Sequence, residues 1–96
     1  MPFLALQKLI PIRMKFKAEI DIMPHANLLD PQGKAVSSSM GNLNLNEISN
    51  VRIGRHITLE VEAADESAAG NKVDEACKNL LCNQIVESYS FDLSTL

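Results

Sequence analysis

The chain has 96 residues and a formal net charge of −3 at pH 7; 46% of its residues are hydrophobic, yet it holds only three phenylalanines, one tyrosine and no tryptophan. This length suits a single domain with a modest aliphatic core, and a domain this small often gains stability by forming an oligomer. The acidic balance argues against a nucleic-acid partner, because proteins that bind the phosphate backbone usually present a basic face.

Residues 1–13 precede the first predicted strand. Their apolar stretch, Phe3–Ile10, is too short to span a bilayer, and Pro11 would end any helix that began at Phe3. No secretory signal is recognisable, since one would need a basic start and a small-residue cleavage site. We expect an N-terminal extension over residues 1–13, poorly ordered or packed on a neighbouring subunit, and one domain over residues 14–96.

The first half of that domain predicts a strand and a helix. Apolar and charged residues alternate from Met14 to Ile22, which is typical of a half-buried strand. A helix over Pro31–Leu43 would begin where the Asp30 carboxylate can accept from the free amides of the first turn. Asn44 then fits the left-handed residue that often follows a helix.

The second half predicts two strands, a helix and a last strand. The strands cover Ile48–Ile53 and Ile57–Ala63, Asp65 caps a helix over Glu66–Leu81, and Ile85–Leu93 ends the fold. The buried stripe of that helix is predicted to contain six residues, namely Ala69, Val73, Ala76, Cys77, Leu80 and Leu81. The order β-α-β-β-α-β predicts an α+β, two-layer fold, with two helices packed on one face of a four-stranded antiparallel sheet.

Four sequence segments in register resemble one protein family. They are the signature around Asp30–Gly33, the run Val51–Arg55 that continues into Ile57–Val61, and the pair Cys77–Asn83 and Ile85–Tyr89. Together with the opening strand they resemble PurS, the small subunit of phosphoribosylformylglycinamidine (FGAM) synthase, from about Met14 to Leu93. The chain departs from the family in its N-terminal extension and in Asn44, where members tend to have glycine.

The resemblance implies a role in purine biosynthesis. The synthase converts formylglycinamide ribonucleotide (FGAR), ATP and glutamine into FGAM, ADP, phosphate and glutamate. Its large subunit uses ATP and Mg, and its glutaminase subunit releases ammonia. The small subunit, a dimer or higher oligomer, would join these two subunits in the cytoplasm and help to form the ammonia path. No catalytic residue, cofactor or metal site is then expected in this chain, and neither nucleic acid nor membrane is an expected partner.

Residues around the two glycines of the signature are the candidates for contact with a partner. Gly33 lies in the first turn of a helix, which suggests the close approach of a partner or tight packing within the chain. Arg52 and Arg55 flank Gly54, and Lys34 follows Gly33; such cations are either solvated or face an acidic partner. The candidates are Asp30, Gln32, Gly33, Lys34, Arg52, Gly54 and Arg55.

The remaining chemistry-bearing residues predict no active site. Nothing in the sequence places a carboxylate or a nucleophile beside His25 or His56, so both are predicted to be surface histidines. Cys77 and Cys82 lie five positions apart, which suits neither a metal site nor a disulfide framework. Buried, reduced thiols are predicted instead.

Two other functions share the predicted topology. An RNA-binding sheet would present stacking aromatic residues, but the strand Ile57–Glu62 has none and carries two acids. A small enzyme of the acylphosphatase type would need an arginine in the loop after the first strand, and Met23–Asn27 has no arginine. A stand-alone, ligand-sensing domain of ferredoxin-like topology is the other alternative.

Overall fold

The computed structural model describes residues 13–96. The prediction for the N-terminal extension, residues 1–13, therefore concerns residues outside the described part of the chain, except for Arg13. The elements are β1 (Met14–Pro24), α1 (Pro31–Met40), β2 (Arg55–Ala63), α2 (Glu66–Ala76) and β3 (Glu87–Thr95). A 3₁₀ turn, Gly41–Leu43, extends α1, and a π-helical turn, Cys77–Leu81, extends α2. None of the helices in residues 13–96 is long and apolar enough to cross a membrane.

The sheet is antiparallel with the strand order β2-β1-β3, so the first strand lies in the centre. Phe16, Ala18, Ile20 and Ile22 of β1 are fully buried, as the alternation of the sequence predicts. Helix α2 covers this face. The residues of β2 and β3 that point to the same face of the sheet are only partly buried, because a single helix is narrower than three strands.

The prediction of a fourth strand over Ile48–Ile53 is wrong. In the described residues this segment forms no ladder, because its amides bond to side chains instead: the Val51 amide donates to Ser37 Oγ at 2.9 Å, and the Ile53 amide donates to Asp30 Oδ2 at 2.7 Å. Asn50 adopts a left-handed conformation with φ of 56°, which interrupts any extended run.

The prediction that both helices pack on one face of the sheet is also wrong. No α1 residue joins the two hydrophobic clusters of the described chain, and Gly33 is the only buried residue of α1. Helix α1 pairs instead with the returning segment. We call residues 31–53 the arm; it runs as a helix to Leu43, turns at the left-handed Asn44 (φ 60°), and returns to β2.

Helix α2 begins as predicted and ends differently. Asp65 Oδ1 accepts from the Ala68 amide at 2.8 Å, which caps the first turn. After Ala76 the backbone widens into the π turn, where the Cys82 amide donates to the Cys77 carbonyl. A π turn inserts one residue and rotates the faces that follow, so Leu80, predicted to be buried, is 82% exposed.

Candidate partner-binding surface

Asp30 closes the base of the arm. Its Oδ1 accepts from the Gly33 amide at 3.1 Å, the predicted helix cap, and its Oδ2 accepts from the Ile53 amide at 2.7 Å. Only 7% of the residue is exposed. The amides of Ile53 and Gly33 stabilise the ionised carboxylate and lower the pKa of Asp30. One carboxylate therefore starts the helix and fastens the end of the returning segment.

The two signature glycines make room within the chain. A Cβ on Gly33 would overlap the carbonyl oxygen of Val51, and a Cβ on Gly54 would overlap the carbonyl oxygen of Ile22. Neither glycine has a positive φ, so the requirement is space rather than backbone conformation. Of the two alternatives for Gly33, the structure favours tight packing within the chain, because Gly33 is buried against its own chain.

Arg52 holds the loop between β1 and α1. Its Nη2 donates to the His25 carbonyl at 2.8 Å, and its Nη1 donates to the Leu28 carbonyl at 3.0 Å. Both acceptors are neutral. Since a carbonyl does not neutralise a cation, the guanidinium fixes the loop and still contributes a positive charge to this surface.

Arg55 fastens the start of β2 to the start of β3. Its Nη2 donates to Glu87 Oε1 at 3.0 Å and to the Leu81 carbonyl at 2.7 Å, and its Nη1 also bonds to Glu87. This two-point contact lowers the pKa of Glu87. The interpretation of Arg52 and Arg55 as freely solvated cations is therefore wrong, because both guanidinium groups are bonded within the chain.

Two grooves flank the loop that leads into α1. The first has a volume of about 570 Å³ and lies between this loop, Ile53–Arg55 and Val86–Glu87. The second, of about 540 Å³, lies between the loop, the side of α1 that carries Lys34 and Ser37, and the segment 49–52. Leu29 borders both grooves and is 71% exposed. Leu29 therefore forms an apolar ridge with a concave surface on each side.

The structure brings all but one of the sequence-predicted candidates to these grooves. The first groove is lined by Asp30, Gln32, Gly54 and Arg55; the second by Asp30, Lys34 and Arg52. The exception, Gly33, lies beneath this surface. Sequence reasoning missed the apolar contributors, Leu28, Leu29, Ile53 and Val86, although the consecutive leucines before the helix cap were a visible signal.

The histidines and cysteines lie elsewhere. His56 is a surface histidine, as predicted, and the strand register pairs it with a carboxylate that the sequence did not indicate: His56 Nδ1 lies 2.7 Å from Asp21 Oδ1. His25 Nε2 lies 3.0 Å from the Gln84 carbonyl. Cys77 and Cys82 are buried and free, as predicted. Within residues 13–96 no group of three or more potential ligands could hold a metal ion.

Comparison with known proteins identifies relatives over most of the chain. A family model, PurS, described as phosphoribosylformylglycinamidine (FGAM) synthase, matches residues 17–95. The PurS subunit of phosphoribosylformylglycinamidine synthase from Synechocystis sp. is 37% identical over 81 residues, covering 84% of this chain and 81% of that protein. The corresponding subunit from Bacillus subtilis is 32% identical over 78 residues, covering 81% and 92%.

Solved structures share the fold. A chain in the structure of PurLQS from Thermotoga maritima is 33% identical and superposes with a TM-score of 0.74, covering 85% of this chain and 98% of that one. A B. subtilis PurS structure is 30% identical with a TM-score of 0.74, covering 82% and 98%.

Proposed function

Since the chain belongs to the PurS family and is thereby a subunit of FGAM synthase in purine biosynthesis, we propose that it joins the glutaminase and large subunits without catalysing a reaction itself. The observation that carries the proposal is the likeness between 85% of this chain and 98% of a chain in the T. maritima PurLQS structure. The surface formed by the two grooves is the proposed contact with a partner subunit.

The chemistry of the complex explains why a subunit without a reaction is needed. Ammonia released from glutamine is protonated in water and then loses its nucleophilicity. A subunit that seals the interface between two active sites keeps ammonia away from solvent, and so supports its transfer. The His56–Asp21 pair is unsuited to this chemistry itself, because it lies on the solvent-exposed face of the sheet, where both side chains are half exposed or more.

Reconstitution tests this role. The purified chain alone is expected to hydrolyse neither ATP nor glutamine. When it is added to the large and glutaminase subunits, glutamine-dependent FGAM formation should rise strongly, whereas FGAM formation from free ammonia should change little because it bypasses transfer. Steady ATP or glutamine turnover by the chain alone, surviving repeated chromatography, would contradict the proposal, as would failure to co-elute with either subunit.

The proposal includes self-association. The inward residues of β2 and β3 remain partly exposed beside α2, and the arm exposes 66% of Leu43, 40% of Ile48 and 36% of Leu45. Burying this apolar area on a second copy would be favourable. We expect at least a dimer at micromolar concentration by light scattering. Leu43→Glu should weaken it, Thr58→Glu on the outer sheet face should not, and a stable wild-type monomer would contradict the expectation.

RNA binding, the alternative of the same topology, receives no support from the aromatic residues. Phe16 is buried, and Tyr89 and Phe91 pack against the core on the face that α2 covers, so the solvent-exposed face of the sheet presents none of them for stacking. The proposed location is the cytoplasm, together with the rest of the complex. Two free, buried thiols suit such a reducing compartment, and cell fractionation tests the location.

A further inference from the structure

The second groove concentrates positive charge in an acidic protein. Lys34 and Arg52 both line it, and neither forms a salt bridge with a carboxylate in residues 13–96. By contrast, Lys15, Lys17, Arg55 and Lys78 each lie within 4.0 Å of a carboxylate oxygen. Four of the eight lysine and arginine side chains in residues 13–96 are thus paired with a carboxylate, and two of the other four meet in this concave surface.

The groove also offers neutral hydrogen-bond donors. Ser49 and Asn50 line its rim, and the Ser37 hydroxyl, whose oxygen accepts from the Val51 amide, keeps its hydrogen for another acceptor. Asp30 is the one carboxylate in the lining of this groove, and its two oxygens already accept from the amides of Gly33 and Ile53. Two cations against the single carboxylate of Asp30 leave a net positive charge in the groove, and both oxygens of that carboxylate are already occupied, so the groove suits an anion.

We infer that the second groove binds an acidic, protruding segment of another synthase subunit, with Lys34 and Arg52 facing its carboxylates. The inference rests on the proposed function and assigns a binding chemistry to part of its interface. Leu29, on the ridge beside the groove, would be covered by the same segment. Arg52 fits the role because its two bonds to the His25 and Leu28 carbonyls fix the guanidinium in place before a partner arrives.

The sheet of a second copy of this chain fits the groove less well than an acidic loop or tail would. The acidic residues on the outer face of the sheet belong to strands, and a flat strand face cannot enter a concave surface. Several of them are already engaged: Glu60 with Lys15, Glu19 with Lys17, and Asp21 with His56. The occupant therefore requires an acidic loop or tail, which these strands do not supply.

The test compares charge variants in the assembled complex. Lys34→Glu reverses an exposed charge without touching the arm's internal bonds, and Lys34→Gln removes it. Lys72→Glu is the matched control, because Lys72 is an exposed lysine on α2 that donates only to a backbone carbonyl, that of Glu62. Affinity for the large and glutaminase subunits is measured by calorimetry at low and high salt, and melting temperatures confirm that each variant is folded.

Lys34→Glu is expected to weaken binding to one of the two subunits at least tenfold at low salt. Lys34→Gln should weaken the same binding about threefold and reduce its salt dependence. The affinity of Lys72→Glu should stay within about twofold of the wild-type value. If the wild type bound the two subunits and Lys34→Glu bound them with the same affinity, this inference would be overturned but the proposed function would stand. If the wild type bound neither subunit, the proposed function itself would fail.

Two further results would replace the acidic segment with another occupant. If Lys34→Glu converted a dimer into a monomer in sedimentation, the groove would bind a second copy of the chain. If inorganic phosphate, added alone, saturated the amide shifts of Lys34 and Arg52 at submillimolar concentration in nuclear magnetic resonance, the groove would bind a small phosphate ligand. Either result would overturn the inference.

Discussion

The sheet with α2 and the arm are held together by different interactions. In the sheet, the inward residues of β1 are fully buried against Val73 and Cys77, and apolar contact supplies the stability. In the arm, Gly33 is the only buried residue of the helix, and the returning segment is attached through amides, a carboxylate and a hydroxyl. The first region is an apolar core, whereas the second is a polar scaffold that leaves its own apolar side chains exposed.

This difference follows the division of tasks within the proposed complex. The core stabilises the subunit, and the inward residues of β1 are fully buried in doing so. An arm built on polar contacts leaves Leu43, Leu45 and Ile48 available to other chains. Four variants or pairs of variants separate the two regions, and they follow here from the largest expected effect to the smallest.

Truncation of an apolar side chain should have opposite outcomes in the two regions. Ile20→Ala leaves a cavity at the centre of the sheet and should lower the free energy of unfolding by about 2–5 kcal/mol. Leu43→Ala in the arm should change it by less than about 0.5 kcal/mol in the monomer. Urea unfolding at one low protein concentration measures both, and similar losses for the two variants would remove the distinction.

Alanine at two helical glycines should act with opposite signs. Gly33→Ala overlaps the Val51 carbonyl and should destabilise the protein by about 1–3 kcal/mol. Gly70→Ala in α2 places its Cβ 3.7 Å from Leu93 Cδ1, an ordinary contact, and should stabilise by about 0.5–1 kcal/mol. Thermal unfolding decides. A Gly33→Ala protein as stable as the wild type would show that the arm moves away from its own helix at little cost.

The stability that Asp30 gives to the arm should depend on pH. Because the pKa of Asp30 is lower in the folded protein than its ordinary value of 3.8, the stability it contributes is complete above about pH 4 and is lost as the pH falls through the native pKa. Asp30→Asn should therefore flatten the decline of the unfolding midpoint between pH 4 and pH 2. Asp92→Asn, an exposed change on β3, is the control and should keep the wild-type decline.

The smallest effect concerns the bond between α2 and β3. Tyr89, the single tyrosine, donates to Asp74, which raises the pKa of its hydroxyl to about 12. The stability it contributes is complete below the ordinary pKa of 10.0 and is lost as the pH rises through about 12. Ultraviolet titration should show this late ionisation, and Asp74→Asn should move it toward 10. An unshifted wild-type titration would contradict the contact.

Local sequence patterns predict the strands and helix caps of the protein, but they do not predict the structure of the returning segment of the arm. The alternation from Met14 to Ile22, the caps at Asp30 and Asp65 and the left-handed Asn44 are local signals, and the structure confirms each of them. Ile48–Ile53 has a strand-like composition, but its amides are satisfied by side chains far away in sequence, which a local pattern does not contain. Tertiary bonding overrides β propensity there.

The sequence predicts the polar residues of the candidate surface but not their contacts, because these contacts also join residues that are far apart in sequence. Asp30 stands out as a helix cap, and Arg52 and Arg55 stand out because they flank Gly54; all three line the two grooves. Their partners are carbonyls and Glu87, which no spacing rule connects to them. The sequence leaves two alternatives for Gly33, because a glycine that is required for space looks the same whether its neighbour belongs to the same chain or to another.

The bond between Asp30 and Ile53 joins residues 23 positions apart and makes the arm a closed loop with its own opening equilibrium. Loss of both contacts of the Asp30 carboxylate removes the helix cap and the closure of the returning segment, while the sheet keeps its ladder. In hydrogen exchange, the amides of Gly33, Val51 and Ile53 should therefore lose protection together, by sub-global opening, well before those of β1. A segment that opens as a unit can also be ordered as a unit, so partner binding should slow exchange throughout the arm at once.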